Sequence, residues 1–187
     1  MIFLSASIPT IGREFFGTEN VIAIREAVMA FTKVCMEYHL PFYFGGHPAI
    51  SPLIWEVARD YSPKDFKSLI KIYQSSEFVG KTPKEVDFFE NIIWTKKGSN
   101  ITESVDLMRA QMFNENQTDI AVFAGGMDGV VKECKLIRDI YPSVTILPLA
   151  TTGAAAFKLY KDLGMKNEYL ENNYSYVSIF KKYLIKK

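Results

Sequence analysis

Cysteine is scarce in this sequence: Cys35 and Cys134 are the only two in 187 residues, too few for a disulfide scaffold. Histidine is equally scarce, with His39 and His47 alone, and nothing stands at zinc-ligand spacing. No metal and no cofactor are expected. A surplus of one charge is missing as well. Lys and Arg number 22 against 21 Asp and Glu, a formal net charge of +1. Proteins that grip nucleic acid electrostatically carry a basic excess, so a nucleic-acid partner is not expected. No apolar run approaches the ~20 residues that span a bilayer. The opening Met1-Ile2-Phe3-Leu4-Ser5-Ala6-Ser7 has no basic leader of the secretory kind. The expectation is a cytoplasmic protein without a membrane partner.

What is present is an ordinary globular composition, 48% hydrophobic and 23% charged, enough apolar material to bury a core. The length suits one domain, read as residues 1–187, since domains typically run to about 100–200 residues. Ile2-Phe3-Leu4-Ser5-Ala6 reads as a short buried strand. Val21, Ile24, Val28, Phe31, Cys35 and Tyr38 recur at helical steps, which predicts an amphipathic helix over residues 20–38. Leu40 to Phe44 is a second strand, ended by Gly45-Gly46. Ser51-Pro52 reads as an N-cap with proline at the first helical position, opening a helix through Tyr61.

Further along, Leu69 to Tyr73 reads as a strand, and Thr82-Pro83-Lys84-Glu85 as a capping box for a helix over 83–89. Ile92 to Thr95 is a strand, and Ser99-Asn100 leads into a helix near 102–115. Asp119 to Ala124 is a buried strand ending at Gly125-Gly126, followed by a helix over about 129–140 and the strand Val144 to Leu147. Thr151-Thr152-Gly153 opens another helix, and residues 173–185 read as the last. Strands alternating with helices indicate an α/β, Rossmann-like three-layer sandwich with a mainly parallel central sheet.

Open parallel sheets bind ligands at the carboxyl ends of their strands. Four small-residue turns fall there: Ser5-Ala6-Ser7, Gly45-Gly46-His47, Gly125-Gly126-Met127-Asp128-Gly129 and Ala150-Thr151-Thr152-Gly153. Glycine admits a close backbone approach, and a helix N-terminus offers free N–H groups to an anion. The four together point to a nucleotide-like ligand. None of them is Gly-x-Gly-x-x-Gly or a Walker A loop, which argues against a dinucleotide oxidoreductase or an ATPase.

Gly45-Gly46 and Gly125-Gly126-Met127-Asp128-Gly129-Val130-Val131-Lys132-Glu133 resemble the SLOG superfamily, which includes LOG-type nucleotide phosphoribohydrolases and the DNA-processing protein DprA. Arg109 lies 16 residues before Gly125, a separation similar to that in LOG enzymes, whose arginine and glutamate serve N-glycosidic cleavage. The resemblance implies Arg109 and Glu133 as catalytic residues if the chain is an enzyme. Ala124 and Val130 stand where the LOG pattern has proline and threonine. Ile2 to Ala6, Asn91 to Thr95, Gly129 to Glu133 and Ile146 to Gly153 more closely resemble the sensor SLOG domain of Thoeris antiphage effectors of the ThsA type.

That likeness implies a binding module for an ADP-ribose-like nucleotide of the cyclic ADP-ribose isomer class. It would sense or sequester the signal in antiphage defence, with a TIR protein as signalling partner. The alternative is a LOG-like N-glycosidase cleaving a nucleoside monophosphate. SLOG relatives commonly pair, which implies a homodimer or tetramer. Ligand contact would fall to Ser5, Ala6, Gly45, Gly46, His47, Arg109, Gly125, Gly126, Met127, Gly129, Glu133, Thr151, Thr152 and Gly153.

Plainer readings stand beside these. Arg109 could be a solvated charge paired with Asp106 or Glu103. Glu133 could complement its helix dipole, and His47 could cap its own turn. Cys35 suits the core. The row Tyr174, Tyr176, Phe180, Tyr183 reads as a packed or oligomer-facing helix, and Lys181-Lys182 and Lys186-Lys187 as a helix C-terminus. Trp55 and Trp94 are core candidates, although Trp94 sits near a strand end where a base could stack.

Overall fold

A computed structural model describes residues 1–185; Lys186 and Lys187 lie outside the described residues. The apolar segments form six strands, β1 (Ile2–Ser7), β2 (Phe42–Gly45), β3 (Ile70–Ser75), β4 (Ile92–Thr95), β5 (Ile120–Gly125) and β6 (Thr145–Leu149). They make one sheet in the order β4-β3-β2-β1-β5-β6. Every pairing is parallel, so the sheet is wholly rather than mainly so. The α-helices among the described residues are α1 (Val21–Glu37), α2 (Ser51–Ala58), α3 (Pro63–Leu69), α4 (Ile101–Glu115), α5 (Asp128–Ile140), α6 (Ala154–Asp162), α7 (Glu168–Glu171) and α8 (Tyr176–Leu184).

Alternation along the strands feeds two cores. Ile2, Leu4, Phe42, Phe44 and Ile72 pack against α1, α2 and α8 on one face. Phe3, Tyr43, Tyr73 and Phe123 pack against α4, α5 and α6 on the other. Phe3 stands edge-on to Phe113 of α4 at 5.0 Å between ring centroids, a favourable aromatic geometry. The result is the expected three-layer α/β sandwich. The chain leaves β1 toward β2 on one side and returns with β5 on the other, so the topological switch point lies between β1 and β5. That crevice is where such sheets bind ligands.

Local chemistry moved several boundaries. Ser51 is the first residue of α2 rather than its cap; its Oγ accepts from the His47 backbone N–H at 3.3 Å. That helix stops at Ala58, short of Tyr61. The helix α3, missing from the sequence reading, is 7 residues long, too short for a periodic stripe. The segment after Thr82-Pro83 is a 3-10 helix, Lys84–Phe88, without a side-chain cap. Thr151 and Thr152 belong to a 3-10 turn, so α6 begins only at Ala154. The last expected helix is shorter and packs inward: Tyr176, Ile179, Phe180 and Leu184 are buried against the chain's own core, while Tyr174 stays exposed.

Candidate functional site

The site grows from the end of β5. Ser7 of β1 pairs with Gly125, and the Gly126 N–H donates to the Ser7 carbonyl at 2.8 Å. Gly125 and Gly126 have φ of 57° and 96°, a left-handed conformation that favours glycine. It turns the chain sharply, with Met127 extended as the N-cap residue of α5. The Thr152 hydroxyl fixes this turn by accepting from the Gly125 N–H at 2.8 Å.

Two side chains then meet over β1. Arg109 reaches across from α4, and its Nε donates to Glu133 Oε1 at 3.0 Å. Its Nη1 donates to Asp106 Oδ1 at 3.1 Å, so Asp106 rather than Glu103 is its partner on the same helix. On its far side Glu133 accepts from the Ser5 hydroxyl, at 2.6 Å to Oε2. Arg109 is 9% exposed, so it is no solvated surface charge. Burial opposes its charge, yet Glu133 and Asp106 outweigh burial and hold its pKa above the usual value.

A second ion pair, which sequence reasoning missed, lies at the N-terminus of α5. Arg13, from the loop between β1 and α1, donates to Asp128 Oδ1 at 2.9 Å, and Lys132 stands 3.7 Å from Oδ2. Burial pushes the Asp128 carboxyl up, but Arg13, Lys132 and Arg109 outweigh it and hold the pKa down. The signal was available: Arg13 follows Gly12 in a loop leaving a central strand, and Asp128 lies inside the glycine-rich turn itself.

Ser5, Gly125, Gly126, Gly129, Arg109 and Glu133 therefore come together at the switch point. Ala6 lies beside them, in register with Ala124. The other turns do different work. Gly45 lies under Met108 of α4. His47 accepts from the Ala49 N–H at 3.2 Å through Nδ1, capping its own turn, and burial lowers its pKa to about 4. The Thr151 hydroxyl is committed to the Tyr176 hydroxyl at 2.7 Å. Gly153 pairs with Glu19, tying down the loop that carries Arg13.

Beside Asp106 opens a groove of about 1000 Å³ that runs along the start of α4 to Glu77 and Lys97. Its carboxylates, Glu77, Glu103 and Asp106, face a single lysine, a lining unsuited to phosphate. Among the described residues no group of three or more His, Cys, Asp or Glu is placed to hold a metal, and no helix is long and apolar enough to cross a membrane.

The architecture defines a Rossmann-like α/β protein with a charged, glycine-lined site at its switch point. Residues 14–184 match the SLOG cluster3 family, and the chain belongs to that family. No curated protein matches the chain. Membership of a SLOG family suggests nucleotide-related binding or LOG-like function for the chain.

Proposed function

We propose that residues 1–187 form one module that binds an ADP-ribose-like nucleotide at the switch point without turning it over. The observation that carries this reading is the double engagement of Glu133: Oε1 takes the Arg109 Nε–H and Oε2 takes the Ser5 hydroxyl. A general base or nucleophile needs an oxygen directed at the reacting atom. Here both oxygens orient neighbours instead, so Glu133 serves as the strut that holds the Arg109 guanidinium rigid. A rigid planar fork suits phosphate, and the α5 N-terminus beside it favours negative charge.

In this reading the module senses or sequesters a cyclic ADP-ribose isomer made by a TIR protein in antiphage defence, and works as a homodimer or tetramer. Calorimetry of the full chain with cyclic ADP-ribose isomers, ADP-ribose, NAD and AMP tests it. Saturable binding with no base released over hours supports the reading, and no binding of any of them at millimolar concentration ends it. The buried Arg109–Glu133 pair favours one second reading, a LOG-like N-glycosidase acting on a nucleoside monophosphate. Base release that disappears in Glu133→Gln would establish that reading in place of the first.

A further inference from the structure

We propose that the carboxyl ends of β2, β3 and β4 hold the base of this nucleotide and select adenine, read by the Gln74 carboxamide and stacked on Trp94. The inference rests on the nucleotide reading above and extends it to a second part of the sheet edge.

Gln74 is 5% exposed, and its Oε1 is buried without a hydrogen-bond partner. Burying an unmade hydrogen bond is costly, and a folded protein satisfies nearly all such groups. This one stands at the carboxyl edge of the sheet, where ligands bind. The register partner of Gln74 on β4 is Trp94, and paired residues on neighbouring strands face the same side of the sheet. Ile72 and Ile92, two residues earlier on each strand, mark that side as the one covered by α1 and α2. Trp94 is 39% exposed, which leaves indole surface available at this strand end.

On the β2 side lies Gly46, where a Cβ would come within 1.8 Å of Gln74 Oε1. Bare backbone, carboxamide and indole thus follow one another across three strands. Strands are spaced by about 4.8 Å, so Gln74 on β3 lies roughly 10 Å from Ser5 on β1, the scale of a nucleotide from its phosphate end to its base. The Gly45-Gly46 turn carries no side chain, and the space a Cβ of Gly46 would take is filled by Gln74 Oε1, so the base meets this carbonyl when the carboxamide turns out from the Gly46 backbone.

A carboxamide offers one acceptor and one donor side by side. The edge of adenine that carries the N6 amine beside the N7 acceptor presents the complement and takes both bonds at once. Hypoxanthine carries a carbonyl in place of that amine. Its oxygen would face Oε1, leaving the orphan unmet.

The test is calorimetry of the full chain with AMP, IMP, adenosine, inosine and ribose 5-phosphate, repeated on Gln74→Met and Trp94→Ala. The parent should prefer AMP to IMP by about tenfold or more. Gln74→Met should erase that preference, leave ribose 5-phosphate binding unchanged, and melt no lower than the parent, since the orphan is gone and volume is kept. Trp94→Ala should weaken AMP and IMP alike by about tenfold. Equal AMP and IMP binding by the parent overturns the base subsite without reference to any variant, as does a preference that survives Gln74→Met; either result leaves the nucleotide reading standing. Adenosine preferred over inosine while ribose 5-phosphate fails to bind does the reverse, keeping the subsite and removing the phosphate assignment. Failure of every probe to bind the parent overturns both.

Discussion

Gly129 makes room for Arg109: a Cβ added there would lie 2.6 Å from the Arg109 Nη2 atom. The second residue of α5 is thus bare because the guanidinium of α4 crosses it on the way to Glu133. Gly129→Ala should separate stability from function. Alanine is a better helix former than glycine by about 1 kcal/mol, while the displaced guanidinium loses its alignment on Glu133. We expect a smaller fall in Tm than for Arg109→Ala, because the helix gain offsets part of the loosened Arg109–Glu133 pair, together with AMP binding weakened about tenfold, as for one lost charge-assisted hydrogen bond. Unchanged affinity would mean that Arg109 does not meet the ligand from its observed position.

Removing Arg109 is a different experiment. Were Arg109 a solvated surface charge, Arg109→Ala would weaken phosphate binding and leave the fold intact. Its burial excludes the second of these outcomes. Glu133 would be left charged, largely buried and held by Ser5 alone, and breaking a buried pair on one side costs roughly 3–5 kcal/mol. We expect a clear fall in Tm for Arg109→Ala. The double variant Arg109→Met with Glu133→Leu should recover much of that loss, because apolar replacement of the whole pair avoids the stranded charge. Both variants should lose nucleotide binding, so thermal melts and titrations on the two proteins separate the structural role from the ligand role.

The strands and the long helices were legible in the sequence because each carries its own period or an apolar run. Arg109 and Glu133 were legible through their spacing to the glycine turn. The helix α3 was not, since 7 residues hold too few turns for a period to emerge. The Arg13–Asp128 pair was missed because it depends on how the loop after β1 folds back, and that is fixed remotely by pairing of Glu19 with Gly153. Gln74 was missed for a similar reason. Within Ile72-Tyr73-Gln74-Ser75 it reads as the start of the polar strand end, and only the β2 turn laid against it makes its carbonyl an orphan. The C-terminal aromatic row was legible as an apolar face that needs cover, but its periodicity does not name the cover, which is the chain's own core.

His47 gives the fold a dependence on pH. Burial lowers its pKa from 6.5 to about 4, so the folded state disfavours the protonated ring that the unfolded chain accepts readily. Between these two values the unfolded state binds more protons, and stability falls as pH falls. The contribution is complete above pH 6.5 and is lost progressively down to about pH 4, amounting to roughly 3 kcal/mol at about 1.4 kcal/mol per unit. Denaturant melts at pH 7 and pH 5 should differ for the parent. His47→Asn keeps an acceptor for the Ala49 N–H but does not titrate there, so its difference should be clearly smaller. An equal pH dependence in the two proteins would remove His47 as the source.

Arg13 and Asp128 should respond to substitution with opposite signs. The pair is exposed, so its contribution to stability is small, about 0–1 kcal/mol, and neither Arg13→Ala nor Asp128→Asn should move the Tm by much. Their charges nevertheless stand at the N-terminus of α5, beside the expected phosphate. The Asp128 carboxylate holds the Arg13 guanidinium at 2.9 Å. An incoming phosphate must compete with that carboxylate for Arg13 and suffers its repulsion. Arg13→Ala should therefore weaken AMP binding several-fold, and Asp128→Asn should strengthen it by a similar factor. Both differences should shrink at 1 M salt, where the screening length falls to about 3 Å. Titrations of the three proteins at low and high salt measure this. A change of the same sign in both variants would show that the phosphate is held elsewhere on the sheet edge.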